Sequence, residues 1–139
     1  MQRIYSFCFI VLLIFLAGCG NGKVSLKGKV TFSDDDSPVP AGTVAFVSGD
    51  GKMSRGNIKE DGTYVVWTES DKDGLPPGDY QVFISSALKS TLVDEKYGIY
   101  DYEQLILKKY EDPGTSGLSV KVDASTKTYD IKVDRYGGR

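Results

Sequence analysis

Three groups of side chains in this sequence have the types and spacing to do chemistry. Asp34, Asp35 and Asp36 stand together and offer hard carboxylate oxygens of the kind calcium takes from a loop. No spaced glycine or distal glutamate completes that set, so an exposed polar turn is the stronger expectation, with weak calcium binding left open. Glu69, Asp71, Asp73 and Gly74 match the first half of a calcium loop, but position 12 counted from Glu69 is Tyr80 and not glutamate. That segment reads as a turn. Tyr97, Tyr100, Tyr102 and Tyr110 offer either an aromatic patch for a sugar or peptide or a cover over one end of the fold, and the cover is the expectation.

What is missing narrows the chemistry further. The sequence has no histidine, and its two cysteines are Cys8 and Cys19. With neither free for chemistry, as argued next, a Ser/His/Asp triad, a Cys/His pair, histidine-bound zinc or iron and thiol redox work are all excluded. No catalytic residue, metal ligand or cofactor site is assigned, and the chain is not expected to be an enzyme. The formal net charge of −2, with both signs spread along the chain, gives no basic footprint for nucleic acid.

The first residues carry an address. Met1 to Arg3 make a short basic start, and Ile4 to Leu16 form an almost wholly apolar run before the chain turns polar at Asn21, the layout of a secretory signal. The run falls well short of the roughly 20 residues that span a hydrocarbon core, so cleavage is expected in preference to a permanent anchor. Leu16, Ala17, Gly18 and Cys19 resemble the lipobox of bacterial lipoproteins. That resemblance implies a diacylglycerol on the Cys19 sulfur, cleavage just before it, and an acylated new amino terminus carrying a chain such as palmitate. Several chains are needed because one gives only marginal, reversible membrane binding. Gly20 after the cysteine resembles the outer-membrane class. The competing reading is an ordinary secretory signal cut near Ala17, leaving Cys19 in a soluble protein.

About 120 residues remain after such a cleavage, enough for one domain with a real core. Residues 19–23 are read as a lipidated tether, 24–135 as the domain and 136–139 as a frayed tail. Val24, Leu26, Val30 and Phe32 alternate with polar residues, the period of a half-buried strand, and Gly28 falls on the buried face where another backbone comes close. Further strands are expected at Thr43 to Val47, Met53 to Ile58, Thr63 to Thr68 and Tyr80 to Ser85, with Glu60, Asp61 and Gly62 as a turn between the third and fourth. Trp67 is expected to be a large core contributor. No period-2 pattern persists from Ser86 to Tyr110, where Thr91 to Leu107 is read as a short helix or an ordered excursion. Leu118 to Val122 and Tyr129 to Val133 alternate cleanly around a turn and are expected to close the fold as a hairpin. Short strands punctuated by Gly, Pro and Asp indicate an all-β antiparallel sandwich, with a barrel as the runner-up.

The order of segments resembles small lipoproteins, frequent in planctomycetes, whose mature part is a transthyretin-like or carboxypeptidase-regulatory-like domain. The resemblance is carried by Leu26, Gly28, Val30 and Thr31, by Pro40 to Val44, by Glu60 to Tyr64, and more specifically by Leu75 to Val82 and Lys109 to Leu118. It implies a seven-stranded, prealbumin-like (transthyretin-like, Ig-like) antiparallel sandwich with an inserted excursion before the last two strands. Hydroxyisourate hydrolases and ring-cleaving dioxygenases share that superfamily, but both need histidines. Although Arg135, Tyr136, Gly137 and Gly138 are faintly similar to the hydrolases' ending, no active-site residue carries over.

The function expected is therefore a membrane-anchored, extracytoplasmic, non-catalytic module that binds an envelope protein or a glycan, or adds structure to the envelope. The competing function is a small-molecule carrier or histidine-independent hydrolase with a pocket near Trp67. A deep pocket with paired, perturbed carboxylates would favour the second, and an exposed edge or aromatic patch the first.

Overall fold

The computed structural model describes residues 22–137; the signal segment and Cys19 lie outside the described residues. Alternation of apolar and polar residues builds two facing sheets. One contains β1 (Lys27–Phe32), β4 (Thr63–Val65) and β9 (Ile131–Val133) in the order β4-β1-β9. The other contains β2 (Thr43–Ser48), β3 (Met53–Asn57), β5 (Gly78–Ser85) and β8 (Leu118–Val122) in the order β3-β2-β5-β8. These seven strands form the expected β-sandwich. Between β5 and β8 the chain leaves it to form a separate two-stranded ribbon, β6 (Leu88–Asp94) and β7 (Ile99–Gln104), and returns through a 3-10 turn at Lys108–Glu111. The excursion is thus a β-ribbon, and the helix considered for this stretch does not form.

Each inner face is the apolar half of an alternating strand. Val30 and Phe32 of β1, Val44 and Phe46 of β2, Tyr80, Val82 and Ile84 of β5, and Ile131 and Val133 of β9 are all buried. Phe46 sits at the centre, with the rings of Tyr64, Tyr80 and Tyr129 each 6.3 Å away between centroids. Offset and edge contacts of this kind add to the area that aromatic rings bury. Residues outside the strands close the ends, among them Leu26, Val39, Leu75 and Ile106, each with no exposed surface.

Three expectations are corrected. Trp67 is half-buried and lies outside the core, whose large aromatics are Phe32, Phe46, Tyr64, Tyr80 and Tyr110. The reason is its pairing: Trp67 bridges Arg55 of β3, which aligns it with Ala45 and Phe83 across the outer face of the four-stranded sheet. The closing hairpin also does not form. β8 pairs with β5 in one sheet, whereas β9 runs parallel to β1 in the other, so the segment between them crosses the sandwich. Both strands aim their apolar residues inward, which opposite sheets satisfy as well as a hairpin would. The pairing of β1 with β9 is accordingly parallel, while the sandwich's other strand pairs are antiparallel. Finally, Tyr136 is not frayed, since its amide donates to the Leu105 carbonyl at 2.9 Å.

Gly28 faces the interior, as its position in the alternation requires. A β-carbon there would lie 2.7 Å from the Tyr64 hydroxyl oxygen and 2.8 Å from the Tyr129 carbonyl carbon. The Tyr129 amide donates to the Lys27 carbonyl at 2.9 Å, drawing the two backbones together at this point.

Candidate functional site

Apart from Asp71, the acidic groups singled out by sequence are paired within the fold. Arg135 donates from Nε to Asp34 at 3.1 Å and from a terminal nitrogen to Asp35 at 3.2 Å, with its guanidinium 3.7 Å from the Phe32 ring centroid. Lys132 reaches Asp36 at 2.6 Å. The Asp35 carboxyl is held below its ordinary range by donation from the Ser37 hydroxyl and amide, with Arg135 adding to the effect. Three adjacent carboxylates tolerate one another because two cations from the end of β9 and the residues after it neutralise them.

Asp73 organises the second acidic segment. Its carboxylate accepts from the amides of Thr68 (2.7 Å), Glu69 (3.2 Å) and Ser70 (3.1 Å), and from Lys23 Nζ at 2.6 Å. The Lys23 ammonium and these amides hold it well below the usual carboxylate range. Glu69 shares the same lysine at 3.1 Å, while Asp71 points into solvent. The segment is therefore a turn that clasps the beginning of the domain, helped by the backbone bridge of Val24 to Leu75.

Trp67 does not join the tyrosines in a pocket. Arg55 stacks on its ring at 5.0 Å, and the adjoining hollow is about 190 Å³, lined by Asn57, Lys59, Val65, Trp67, Asp71 and Lys72. Ligand pockets are generally about 300–1,000 Å³. The four tyrosines themselves separate. Tyr110 is buried and its hydroxyl donates to Asp134 at 2.9 Å, so it alone covers an end of the sandwich. Tyr97, Tyr100 and Tyr102 stand on the ribbon, 69%, 51% and 61% exposed.

The ribbon is the feature that sequence reasoning missed. Its root is firm: Ala87 and Ile106 are buried, and the Leu105 amide donates to the Ala87 carbonyl at 2.9 Å. Its tip is a tight turn in which Asp94 accepts from the amides of Lys96 and Tyr97, and Gly98 supplies a φ of 62°. Between root and tip the pairings Leu88 with Gln104, Ser90 with Tyr102 and Leu92 with Tyr100 put those six residues on one face. Lys89 opposite Glu103, and Thr91 opposite Asp101, occupy the other. One face is thus free of charge and rich in Leu and Tyr, and the other is charged. All side chains from Leu88 to Val93 and from Tyr97 to Glu103 are exposed, so the sandwich covers neither face. Of the nine large hydrophobic residues exposed among the described residues, seven lie on this ribbon. A signal was present in the alternation Leu88-Ser90-Leu92 and Tyr100-Tyr102, but only the pairing shows that the two runs share a face.

No family model and no curated protein matches this chain. Among solved structures it is similar to the major pilin subunit BcpA of Bacillus cereus. The identity is 20%, the TM-score 0.49, and the match covers 81% of this chain and 29% of the pilin. A D312A form of that pilin matches at 18% identity over 81% and 30% of the two chains, with a TM-score of 0.49. A 9R-lipoxygenase from Cyanothece PCC8801 matches at 14% identity and a TM-score of 0.36, over 81% of this chain and 16% of the other. The chain spans less than a third of the length of each of these proteins.

Proposed function

We propose that this chain is a lipid-anchored, extracytoplasmic module of the bacterial envelope that acts by binding and not by catalysis. The observation that carries the reading is the uncharged Leu/Tyr face of the ribbon, which is built on a firm root and left uncovered by the sandwich. An exposed apolar patch rimmed by polar residues marks an interaction surface. The carboxylates with the strongest perturbation point the same way, because Asp73 and Asp134 are each held by a lysine, Lys23 and Lys109, and are engaged in fixing turns. The address rests on Leu16-Ala17-Gly18-Cys19 and on the resemblance to transthyretin-like lipoproteins. Cys19 is three residues from Gly22, at most about 11 Å of chain, so an anchored domain would ride close to its bilayer, with the outer membrane as the favoured one.

The test is the intact mass of the protein extracted from native membranes, compared with Cys19→Ser. A chain beginning at an acylated Cys19, with Cys19→Ser found in the soluble fraction, is the expected result. An unmodified, soluble wild-type chain overturns the anchor. For the binding role, Tyr100→Lys with Tyr102→Lys should leave the melting temperature within about 2 °C, as exposed positions do, and abolish co-extraction of whatever partner the wild type retains. Unchanged co-extraction overturns the assignment of the ribbon.

A further inference from the structure

We infer that the hollow beside Trp67 is a binding site for an acidic polysaccharide, taking one uronate ring of its chain. The site shares no residue with the β6–β7 ribbon, so it stands or falls independently of the ribbon and of the anchor. Its apolar wall is the half-buried pair Val65 and Trp67, and its rim is the exposed Asn57, Lys59, Asp71 and Lys72. At about 190 Å³ the hollow is too small to enclose a ligand, but it admits one ring lying against the wall while the rest of the polymer stays in water.

The lining selects that ring. Among the described residues neither Lys59 nor Lys72 has an ion pair, and Arg55, stacked on Trp67, has none either. Asp61, whose charge is felt by Lys59, is tied to its own turn, accepting from the Thr63 hydroxyl at 2.6 Å and amide at 3.0 Å. Two ammonium groups left unpaired at the rim of one hollow call for an anion. Asp71 on the same rim repels a ligand that is anionic throughout, and accepts from a hydroxyl. The Asn57 side-chain carbonyl accepts from the Thr43 hydroxyl at 3.2 Å, leaving its amide nitrogen to donate to a ligand. Trp67 and Val65 offer their apolar surface to C–H groups. A carboxylate, hydroxyls and an apolar C–H face occur together on a uronate ring, whereas an acidic peptide side chain lacks the hydroxyls and a neutral sugar lacks the charge.

The rim is set before anything binds. The backbones of Arg55 and Trp67 exchange two hydrogen bonds, at 2.9 and 2.8 Å, which fixes Trp67 against β3. Lys59 is held in a turn, its amide donating to the Thr63 carbonyl at 2.9 Å and its carbonyl accepting from the Gly62 amide at 2.8 Å. Lys72 is the third residue of the turn from Ser70 to Asp73, which the Asp73 amide closes on the Ser70 carbonyl at 3.1 Å. Its φ is 59°, a conformation that glycine or asparagine takes more readily than lysine. The turn gains nothing from lysine there, and strain of this kind gathers at functional sites. A rim fixed in this way loses little freedom when a ligand settles on it.

The experiment measures binding of the protein, extracted in detergent from cells producing the full chain, to immobilised polygalacturonate and alginate. The expected result is binding to at least one of these polyuronates, weakened about ten-fold or more by Lys59→Gln with Lys72→Gln, as the loss of charged hydrogen bonds requires. Trp67→Ala should weaken it as well. Lys72→Gly, which relieves the φ of 59°, should also bind more weakly while melting no lower than the wild type, a combination that a purely structural role for Lys72 does not give. The same polymer with its carboxylates methyl-esterified keeps the ring and hydroxyls, and polyglutamate keeps the charge; each should bind about ten-fold less or weaker still. No binding to either polyuronate, equal binding to the ester or to polyglutamate, or unchanged binding in either lysine variant overturns the site.

Discussion

Replacing Gly28 by alanine tests the closest backbone approach in the sandwich. The new methyl group would stand 2.7 Å from the Tyr64 hydroxyl oxygen and 2.8 Å from the Tyr129 carbonyl carbon, and nearer still to the carbonyl oxygen, where ordinary contact begins at 3.4 Å. β1 must therefore move away from the segment leading into β9. The movement breaks the bond from the Tyr129 amide to Lys27 (2.9 Å), that from the Lys27 amide to Lys127 (3.3 Å), and the bond from the Tyr64 hydroxyl to the Tyr129 carbonyl. At about 1 kcal/mol net each, these come to about 3 kcal/mol, and stranding the hydroxyl of a buried tyrosine adds about 1–3 kcal/mol. Burial pushes that hydroxyl far above its ordinary pKa, so it stays protonated and cannot relieve the loss by ionising. The strand propensity regained on leaving glycine offsets about 0.5–1 kcal/mol.

The net expectation for Gly28→Ala is a loss of about 4 kcal/mol, a large share of the stability of any single domain. Urea unfolding should show a lower midpoint at an unchanged slope, and thermal melting a fall of about 15 °C. Gly49→Ala is the control, because a β-carbon there meets nothing within 4 Å. Tyr64→Phe isolates the hydroxyl bond and should cost about 1–2 kcal/mol. If Gly28→Ala stays within about 1 kcal/mol of the Gly49→Ala control, the argument from close approach is refuted.

Trp67→Ala should cost about 1 kcal/mol in urea unfolding, against about 3–5 kcal/mol for Phe46→Ala, since only the second leaves a cavity in the core; equal costs would return Trp67 to the core. The Asp134 carboxyl is held at about 2 by Lys109, Ser33 and Tyr110. Because that value lies below the roughly 3.9 of an unfolded aspartate, its contribution is complete above about pH 4 and is lost as pH falls through about 2. Asp134→Asn should flatten that part of the acid-unfolding curve, and an Asp134 carboxyl seen by NMR to titrate near 4 would contradict it. Millimolar calcium should leave the melting temperature unchanged, because Arg135 and Lys132 occupy Asp34, Asp35 and Asp36; a rise of more than about 3 °C would show that calcium displaces them.

The sandwich was legible wherever an alternating strand has one buried face. Val24 to Phe32, Thr43 to Val47 and Tyr80 to Ser85 carry their own solution, since the apolar half of each can only turn inward. Even Gly28 showed its purpose, because a glycine at an inward position leaves room for something other than a side chain. Pairing was not legible. Trp67 follows β4 in a stretch rich in β-branched and aromatic residues, but its outward position depends on its isolated bridge to Arg55, a partner that no local pattern identifies. In the same way, two cleanly alternating strands after Gly117 fit either a hairpin or opposite sheets. The structure takes the second, with Ser116 first bonding the Val82 carbonyl to fix the chain's entry into β8.

The ribbon escaped sequence reading for a related reason, and the reason bears on function. Periodicity identifies a strand when burial on one side enforces it, and here the other described residues bury neither side. Read singly, Leu88-Lys89-Ser90-Thr91-Leu92 and Tyr100-Asp101-Tyr102-Glu103 alternate too briefly to stand out from a polar loop. Paired, they assemble a face with no charge on it opposite a face with charges of both signs, the division expected of a sheet with one side meant for burial. Elsewhere among the described residues each comparable demand is met internally: the acidic turn by Arg135 and Lys132, Asp73 by Lys23, Tyr110 by Asp134. Among the described residues, seven of the nine large hydrophobic side chains left exposed stand on this one ribbon, above a buried root, while the charges of the acidic turn and around Asp73 are spent on closing the sandwich.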